Sequence, residues 1–181
     1  MEDKVRLVVA VLDESGARWA LVGAHAVGIL TTPRATVDVD LLVEERKLSA
    51  VVRSLEHSLG PLEKEDIGPA LRLKGLDVDL IRSNNHPLFS AVLEHVLRVE
   101  GWNLPRPEAL IALKFLAAVS PWRGQEKKLH DAGDLVSLYR NLRDDLDPEL
   151  LTRLSGLVYP GAEKELLGLL DRVDSGEPLT I

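Results

Sequence analysis

The stretch that decides the fold is LVGAHAVGILTTPRATVDVDLLV, residues 21–43. It opens with an apolar run that ends at Gly23, continues through a short small-residue segment, and closes on an alternating run at residues 37–43. Because successive side chains of a strand point to opposite faces, Asp38 and Asp40 are predicted to project from the same face. Two carboxylates directed at one point are hard oxygen ligands of the kind that Mg²⁺ prefers. The alternative is two solvated acids on an outward strand face.

Gly23 lies where a predicted buried strand, residues 19–22, gives way to a predicted helix, residues 24–30. A residue without Cβ lets backbone N–H groups approach a phosphate, and the N-terminus of the helix directs partial positive charge to the same place. A plain strand-to-helix turn explains a lone glycine equally well. The prediction of a phosphate site therefore depends on Gly23 together with the two aspartates. We interpret His25, in the first turn of that helix, as a capping or packing residue rather than a catalytic one.

A second alternating run, Asp77-Val78-Asp79-Leu80-Ile81, follows a predicted strand at residues 70–74 and a turn. Its two aspartates are predicted to share a face. Two-metal phosphoryl transfer needs carboxylates that bridge both ions and one that activates the attacking hydroxyl. One acidic strand is unremarkable in a chain with 29 acidic residues, but two such strands, each followed by aliphatic residues, are harder to attribute to solvated faces.

The composition restricts the class of protein. The chain has 181 residues and is 45% hydrophobic, which suits a compact fold with a real core and argues against disorder. It contains no cysteine, which excludes disulfides and cysteine–zinc sites and fits a cytoplasmic location. No run reaches the length of a membrane span, so no membrane partner is expected. The net charge of −7 argues against non-specific nucleic-acid binding, but it is compatible with a small basic groove or a nucleotide brought in with Mg²⁺.

The second half of the chain is predicted to be mainly helical. Helices are expected at residues 107–119, 125–142, 150–158 and 162–173. Lys114 interrupts the apolar run of the first of them, where a lysine snorkels, pairs with an acid or reaches a phosphate. We therefore divide the chain into a catalytic core at residues 1–105 and a helical C-terminal region at residues 106–181.

The order strand, glycine, short helix, Arg-x-Thr and hydrophobic-Asp-hydrophobic-Asp resembles the nucleotidyltransferase superfamily, which has a polymerase-β-like core. Within it, the chain is most similar to the small bacterial AbiEii-like and MenT-like toxin branch. The motifs read Val22-Gly23-Ala24, Arg34-Ala35-Thr36 and Val37-Asp38-Val39-Asp40, and the resemblance covers most of residues 17–138. The branch usually has Gly or Ser where this chain has Ala24. Only the backbone N–H remains there to contact a triphosphate.

The resemblance implies an α/β (α+β) fold in which a mixed sheet is flanked by helices. It also implies that Asp38, Asp40 and Asp79 are catalytic residues and Mg²⁺ ligands, with Asp79 as general base on the acceptor hydroxyl or as the residue that completes the metal site. The phrase at residues 78–81 matches the superfamily best at Asp79. Asp77 is the reserve candidate for the third carboxylate.

A nucleotide-binding set is implied as well. The backbone N–H groups of Gly23 and Ala24 would cradle phosphate, and Arg34 and Lys114 would neutralise charge on the leaving pyrophosphate. Thr36, in the loop that enters the first acidic strand, completes the set.

A Lys/Arg-x-x-Asp-x-x-Asp-Leu motif of the branch matches residues 128–135. The match implies that Lys128 and Asp131 are supporting residues of the active site. Three positions apart on a helix, the two residues are able to form a surface ion pair with each other. Alternatively, Asp131 pairs with Lys114 and orients it.

The implied activity is Mg²⁺-dependent transfer of a nucleoside monophosphate from a nucleoside triphosphate to a hydroxyl of RNA, such as tRNA, or of a protein. The branch adds a role as the toxin of a toxin–antitoxin pair, and hence an antitoxin partner. Two other classes stay open. One is a nucleotide-binding or partner-binding module of the same fold without turnover. The other is a structural helical protein in which Asp38, Asp40 and Asp79 lie far apart.

Overall fold

The computed structural model describes the backbone of residues 2–178 and the side chains of residues 5–178. The strands lie at Trp19–Val22 (β1), Val39–Val43 (β2), Lys64–Asp66 (β3), Ala70–Leu73 (β4), Val78–Arg82 (β5), Val96–Val99 (β6) and Trp102–Pro105 (β7). The α-helices lie at Glu2–Glu14 (α1), Gly23–Leu30 (α2), Glu45–Leu59 (α3), Pro87–Val92 (α4), Pro107–Val119 (α5), Gln125–Leu142 (α6), Pro148–Ser155 (α7) and Ala162–Ser175 (α8). Short 3₁₀ turns occupy Ser83–Asn85 and Arg143–Asp145.

Five strands form one mixed sheet in the order β1-β2-β5-β4-β3, and β6 pairs with β7 in a separate hairpin. Only β2 and β5 pair in parallel within the described sheet, while the other neighbours are antiparallel. The predicted α/β fold with a mixed sheet and flanking helices is confirmed. The parallel pair brings the two acidic runs side by side, with Asp40 opposite Asp79.

Aliphatic residues explain why β2 and β5 form the centre of the sheet. Leu41 and Leu80 are register partners and both are fully buried. The amphipathic helix α3 buries the apolar face expected from its sequence, which includes Val51 and Leu55. The hydrophobic core continues through α5, where Leu110 and Phe115 are buried, and it reaches α8. The division of the chain at residue 105 stays a prediction.

The structure differs from the sequence expectations in several elements. The strand predicted over residues 37–43 begins at Val39, so Asp38 precedes it, and Asp77 likewise precedes β5. β3 was not predicted, because its three residues are charged and exposed and show no apolar alternation. Residues 88–99, whose sequence fits a helix or a strand, divide between α4 and β6. Leu129 belongs to the apolar residues of α6, but it is 62% exposed.

None of the helices in the described part of the chain has the length and apolar character needed to cross a bilayer.

Candidate active site

A cleft of about 570 Å³ lies beside the first residues of β2 and β5, and Asp38, Asp40 and Asp79 all line it. Asp40 and Asp79 are direct partners in the parallel ladder, so their side chains leave the sheet on the same face. Asp38 is exposed at the mouth of the cleft, and Asp79 is 8% exposed. The structure therefore brings together the three carboxylates that the sequence singled out. The expectation of a purely structural protein, in which they lie far apart, is not met.

Gly23 lies directly against Asp40. Antiparallel pairing places Val22 opposite Asp40, and Gly23 follows with φ of 68°, in the left-handed region that favours glycine. A Cβ at position 23 would lie 2.0 Å from Oδ2 of Asp40. The glycine is thus required for space as well as for its backbone angle, because the carboxylate occupies the space of its missing side chain.

Asp40 lies in an environment that disfavours its ionised form. Burial and the negative charge of Asp79 raise the pKa of Asp40 to about 6, although Lys114 acts in the opposite direction. The negative charge of Asp38 raises the pKa of Asp40 further. An ionised Asp40 is therefore stabilised by any cation that enters the cleft.

Arg72, a residue that the sequence analysis missed, holds Asp79. Its Nε and Nη2 donate hydrogen bonds of 2.9 Å each to Oδ1 and Oδ2 of Asp79. The two residues are register partners on the antiparallel strands β4 and β5, and both line the cleft. The contact with Asp79 raises the pKa of Arg72, as expected for a charge-assisted bidentate pair.

The donor set of the cleft fits Mg²⁺ in part. Carboxylate oxygens are its preferred protein ligands, and Asp38 and Asp40 lie in the cleft without a direct ion pair among the described residues. Asp79 has both oxygens on Arg72, and within residues 5–178 no three carboxylate, histidine or cysteine side chains are arranged to hold a metal ion. Asp38 and Asp40 therefore offer oxygen ligands of the right chemistry, and Asp79 adds its own only if Arg72 releases the carboxylate.

Lys114 supplies positive charge from the opposite side. It is 5% exposed in α5, and its Nζ lies 2.9 Å from Oδ1 of Asp131 and 2.8 Å from Oδ2 of Asp134. A buried ammonium is stable only when it is paired, and these two carboxylates of α6 meet that need. The predicted pairing of Lys114 with Asp131 is confirmed. Among the described residues, Asp131 pairs with Lys114 rather than with Lys128, which was the alternative.

Two arginines extend this pair into a network. Nε and Nη2 of Arg34 donate hydrogen bonds of 3.1 and 3.0 Å to Oδ1 and Oδ2 of Asp134, and Nε of Arg123 donates to Oδ2 of Asp131. Burial raises the pKa of Asp134, but the hydrogen bonds and charges of Arg34 and Lys114 outweigh it and lower the pKa overall. Arg34, Lys114 and Arg123 all line the cleft. Three cations are thus held by two carboxylates, which leaves a net positive charge on this wall.

The remaining residues of the predicted nucleotide-binding set also face the cleft. Gly23, Ala24 and Thr36 line it together with Arg34 and Lys114. The structure therefore brings all five of these residues into one site with the carboxylates.

Two supporting candidates lie elsewhere. Asp77 is exposed in the turn before β5 with φ of 54°, its carbonyl oxygen accepts a hydrogen bond from the backbone N–H of Val39, and it is not among the residues that line the cleft. Lys128 lines a different groove together with Leu129. The face of α6 that meets the cleft carries Lys127 and His130 instead.

His25 does not cap α2. The helix begins without a side-chain hydrogen bond at its N-cap, Val22, and Nε2 of His25 is buried without a partner among the described residues. Burial, assisted by the charge of Arg34, lowers the pKa of His25. The expected capping role is therefore not met, and the packing role of His25 stays a prediction.

Comparison of the sequence with family models and with curated proteins gives no match. Solved structures resemble the fold over nearly the whole chain. The solution structure of the antibiotic-resistance factor ANT(2'')-Ia has a TM-score of 0.56 at 16% identity, covering 97% of this chain and 97% of that one. The crystal structure of an antigenic nucleotidyltransferase-like protein from Paracoccidioides brasiliensis has a TM-score of 0.53 at 21% identity, covering 97% and 94%.

A crystal structure of ANT(2'')-Ia in complex with adenylyl-2''-tobramycin is similar too, with a TM-score of 0.52 at 16% identity over 93% of this chain and 98% of that one. At these identities the likeness establishes the architecture. The chain therefore has a nucleotidyltransferase-type fold, and its cleft carries carboxylates on the sheet and cations on the helices.

Proposed function

We propose that the protein is a Mg²⁺-dependent nucleotidyltransferase that moves a nucleoside monophosphate from a nucleoside triphosphate to a hydroxyl of RNA or protein. The observation that carries this proposal is the meeting, in one cleft, of the carboxylates of Asp38, Asp40 and Asp79 with the cations of Arg34 and Lys114. Positioning and charge stabilisation supply most of the catalysis of phosphoryl transfer. A wall of acids for a metal ion and a wall of cations for a polyphosphate are the two parts that such a reaction needs.

Each residue has a role that follows from its surroundings. Asp38 and Asp40 would hold Mg²⁺, which when bound polarises the phosphate and offsets its charge. Arg34 and Lys114 would bind the oxygens of the leaving pyrophosphate, since their carboxylate partners hold both cations in place along the cleft. The backbone N–H groups at Gly23 and Ala24 would contact phosphate, because they lie at the N-terminus of α2, where N–H groups have no partner within the helix.

The proposed reaction is a single displacement. The acceptor hydroxyl oxygen forms a bond to the α-phosphorus, the bond from that phosphorus to the bridging oxygen breaks, and pyrophosphate leaves with the bonding electrons. The hydroxyl proton passes to the carboxylate of Asp79, which stands beside Asp40 in the ladder. That step requires Arg72 to release the carboxylate first.

The choice of acceptor is proposed from the sequence resemblance, which favours RNA such as tRNA, or a protein side chain, and a toxin role with an antitoxin partner. The adenylyl-2''-tobramycin complex of ANT(2'')-Ia motivates an aminoglycoside as a third acceptor to be tried.

Label transfer tests the proposal. The protein is incubated with Mg²⁺, each α-³²P-labelled nucleoside triphosphate in turn, and one of three acceptors: total RNA, cell protein or tobramycin. Asp38→Ala is the inactive variant, and Asp144→Asn, an exposed aspartate outside the cleft, is the matched control. Label that reaches one acceptor with the wild type and Asp144→Asn but not with Asp38→Ala supports the proposal. No transfer to any acceptor, or equal transfer by Asp38→Ala, overturns it.

A second candidate function is a nucleotide-binding module without turnover. Two observations favour it: Arg72 occupies both oxygens of Asp79, and Ala24 carries no hydroxyl. Isothermal titration with Mg²⁺-nucleotide separates the two candidates. Nucleotide binding that Asp38→Ala weakens, together with no label transfer, would favour the binding module.

A further inference from the structure

The ion pair between Arg72 and Asp79 joins a partly exposed side chain to a buried one. Asp79 has a side chain that is 12% exposed, while that of Arg72 is 41% exposed. Asp79 also lies within the central strand β5, between the buried residues Val78 and Leu80. The guanidinium is therefore able to swing into solvent without disturbing the core, whereas the carboxylate is held where it is.

The sheet fixes the order of the charged groups. Arg72 is opposite Asp79, and Asp79 is opposite Asp40, so the three side chains form one row across β4, β5 and β2. Register partners project from the same face of a sheet. Arg72, at the end of the row, is thus always within reach of the carboxylate of Asp79, whether or not a metal ion is present.

A guanidinium and a divalent cation exclude each other at one carboxylate. Carboxylate oxygens have further lone pairs that could bind an ion. A guanidinium bound to both oxygens, however, places its positive charge where a metal ion would sit, and the two cations repel each other. Arg72 bound in this way leaves Asp79 unable to bridge to an ion at Asp40. The same contact occupies the lone pairs that would receive a proton from a hydroxyl.

We infer that Arg72 is an internal counter-ion that competes with a divalent cation for Asp79, so that metal binding and opening of the Arg72–Asp79 pair are coupled. This inference rests on the proposed function for its identification of Asp38, Asp40 and Asp79 as the metal ligands. Arg72 acts as a positioning residue: it keeps Asp79 neutralised and aimed into the cleft, and the entering ion displaces it.

Binding of Mn²⁺ alone, without nucleotide, tests the inference. Free Mn²⁺ is followed by electron paramagnetic resonance during titration of the full chain as wild type, Arg72→Met and Arg82→Met. Arg82 is the matched control, because its Nη1 and Nη2 form hydrogen bonds of 2.9 and 2.7 Å to the two oxygens of Asp66 on the same sheet but outside the cleft. Arg72→Met should bind Mn²⁺ about tenfold more tightly, the size of one lost charge-assisted contact. Arg82→Met should bind it as the wild type does.

The dependence on Asp79 separates competition from a general change in charge. In Asp79→Asn the pair no longer exists, so adding Arg72→Met should leave the Mn²⁺ affinity of Asp79→Asn unchanged. Weaker or unchanged binding by Arg72→Met, or a gain that persists in the double variant, overturns the inference. If Arg72→Met does not fold, as judged by circular dichroism, Arg72→Lys carries the test. Its single ammonium cannot reproduce the fork, so it should bind Mn²⁺ more tightly than the wild type.

Failure of the inference about Arg72 can be distinguished from failure of the proposed function. Tighter Mn²⁺ binding by Arg72→Met without any label transfer would support the role of Arg72 and reject nucleotidyl transfer. Label transfer by the wild type, with no change in Mn²⁺ affinity in Arg72→Met, would support nucleotidyl transfer and reject the role of Arg72.

Discussion

A β-carbon at position 23 would lie 2.0 Å from Oδ2 of Asp40, so Gly23 and the carboxylate depend on each other for space. The backbone of Gly23 adds a second constraint, since φ is 68°. The first residue of α2 and the side chain of Asp40 on β2 therefore approach closely only because residue 23 has no side chain. The central carboxylate of the cleft occupies space that the glycine at the end of β1 leaves free.

Gly23→Ala should destabilise the protein and displace Asp40. Gly16 provides a matched control, because it has φ of 63° and an added Cβ there meets nothing within 4 Å. Gly16→Ala should cost about 1–2 kcal/mol, the penalty of the left-handed region alone. Gly23→Ala should cost more in urea unfolding and should also weaken Mn²⁺ binding. Equal losses in the two variants would show that Asp40 moves aside freely.

Lys114→Met should destabilise the protein strongly. Lys114 is buried between Asp131 and Asp134, and removal of one member of a buried charge network typically costs about 3–5 kcal/mol. The control is Lys64→Met, which removes a lysine that pairs with Glu56 on the surface and should cost no more than about 1 kcal/mol. Urea unfolding of both variants measures the difference. Similar values would mean that the buried carboxylates rely on Arg34 and Arg123 alone.

Asp134 should make the stability depend on acid pH. Its pKa is lowered below the ordinary value of 3.8, because Arg34 and Lys114 outweigh the effect of burial. A group with a lowered native pKa stabilises the fold fully above its unfolded pKa and loses that contribution as the pH falls through its native pKa. The difference in unfolding free energy between the wild type and Asp134→Asn should therefore shrink as the pH falls below about 5. Urea unfolding at a series of pH values measures it, and a constant difference would contradict the assignment.

Asp79→Asn and Asp77→Asn should separate the two candidates for the third carboxylate. Asn tolerates the left-handed backbone of residue 77, so Asp77→Asn should keep its fold and its label transfer. Asp79→Asn removes the proposed general base and should reduce the transfer rate by at least about a hundredfold. Loss of transfer with Asp77→Asn, and its retention with Asp79→Asn, would reverse the assignment.

The sequence predicted the acidic strands because alternation is a local signal. Asp40 and Asp79 could be singled out from their own neighbours, whereas their adjacency arises from the parallel pairing of β2 and β5, which no local pattern specifies. Arg72 was missed, although a signal for it existed. A hairpin closed by the turn at residues 74–77 aligns Arg72 with Asp79 when the pairing is counted outward from Leu73 and Val78.

The helical wall was harder to predict. The apolar residues of α6 made Leu129 a candidate for burial, but Leu129 is exposed. Asp131 and Asp134 are buried instead, because they neutralise Lys114. A pattern of hydrophobic residues cannot identify a helix face that is stabilised by charge. Lys128 was therefore placed at the site by the sequence motif, while Lys127 occupies the cleft.

The pair of Arg34 with Asp134 joins residues that are 100 positions apart in the chain. A ribosome completes β2 and its aspartates long before it reaches α6. Until that helix has been made, Arg34 has no carboxylate to hold it and Lys114 has no acids around it. The cationic wall of the cleft can therefore be ordered only after α6 has been made, so a shorter nascent chain carries Arg34 and Lys114 without the carboxylates that position them.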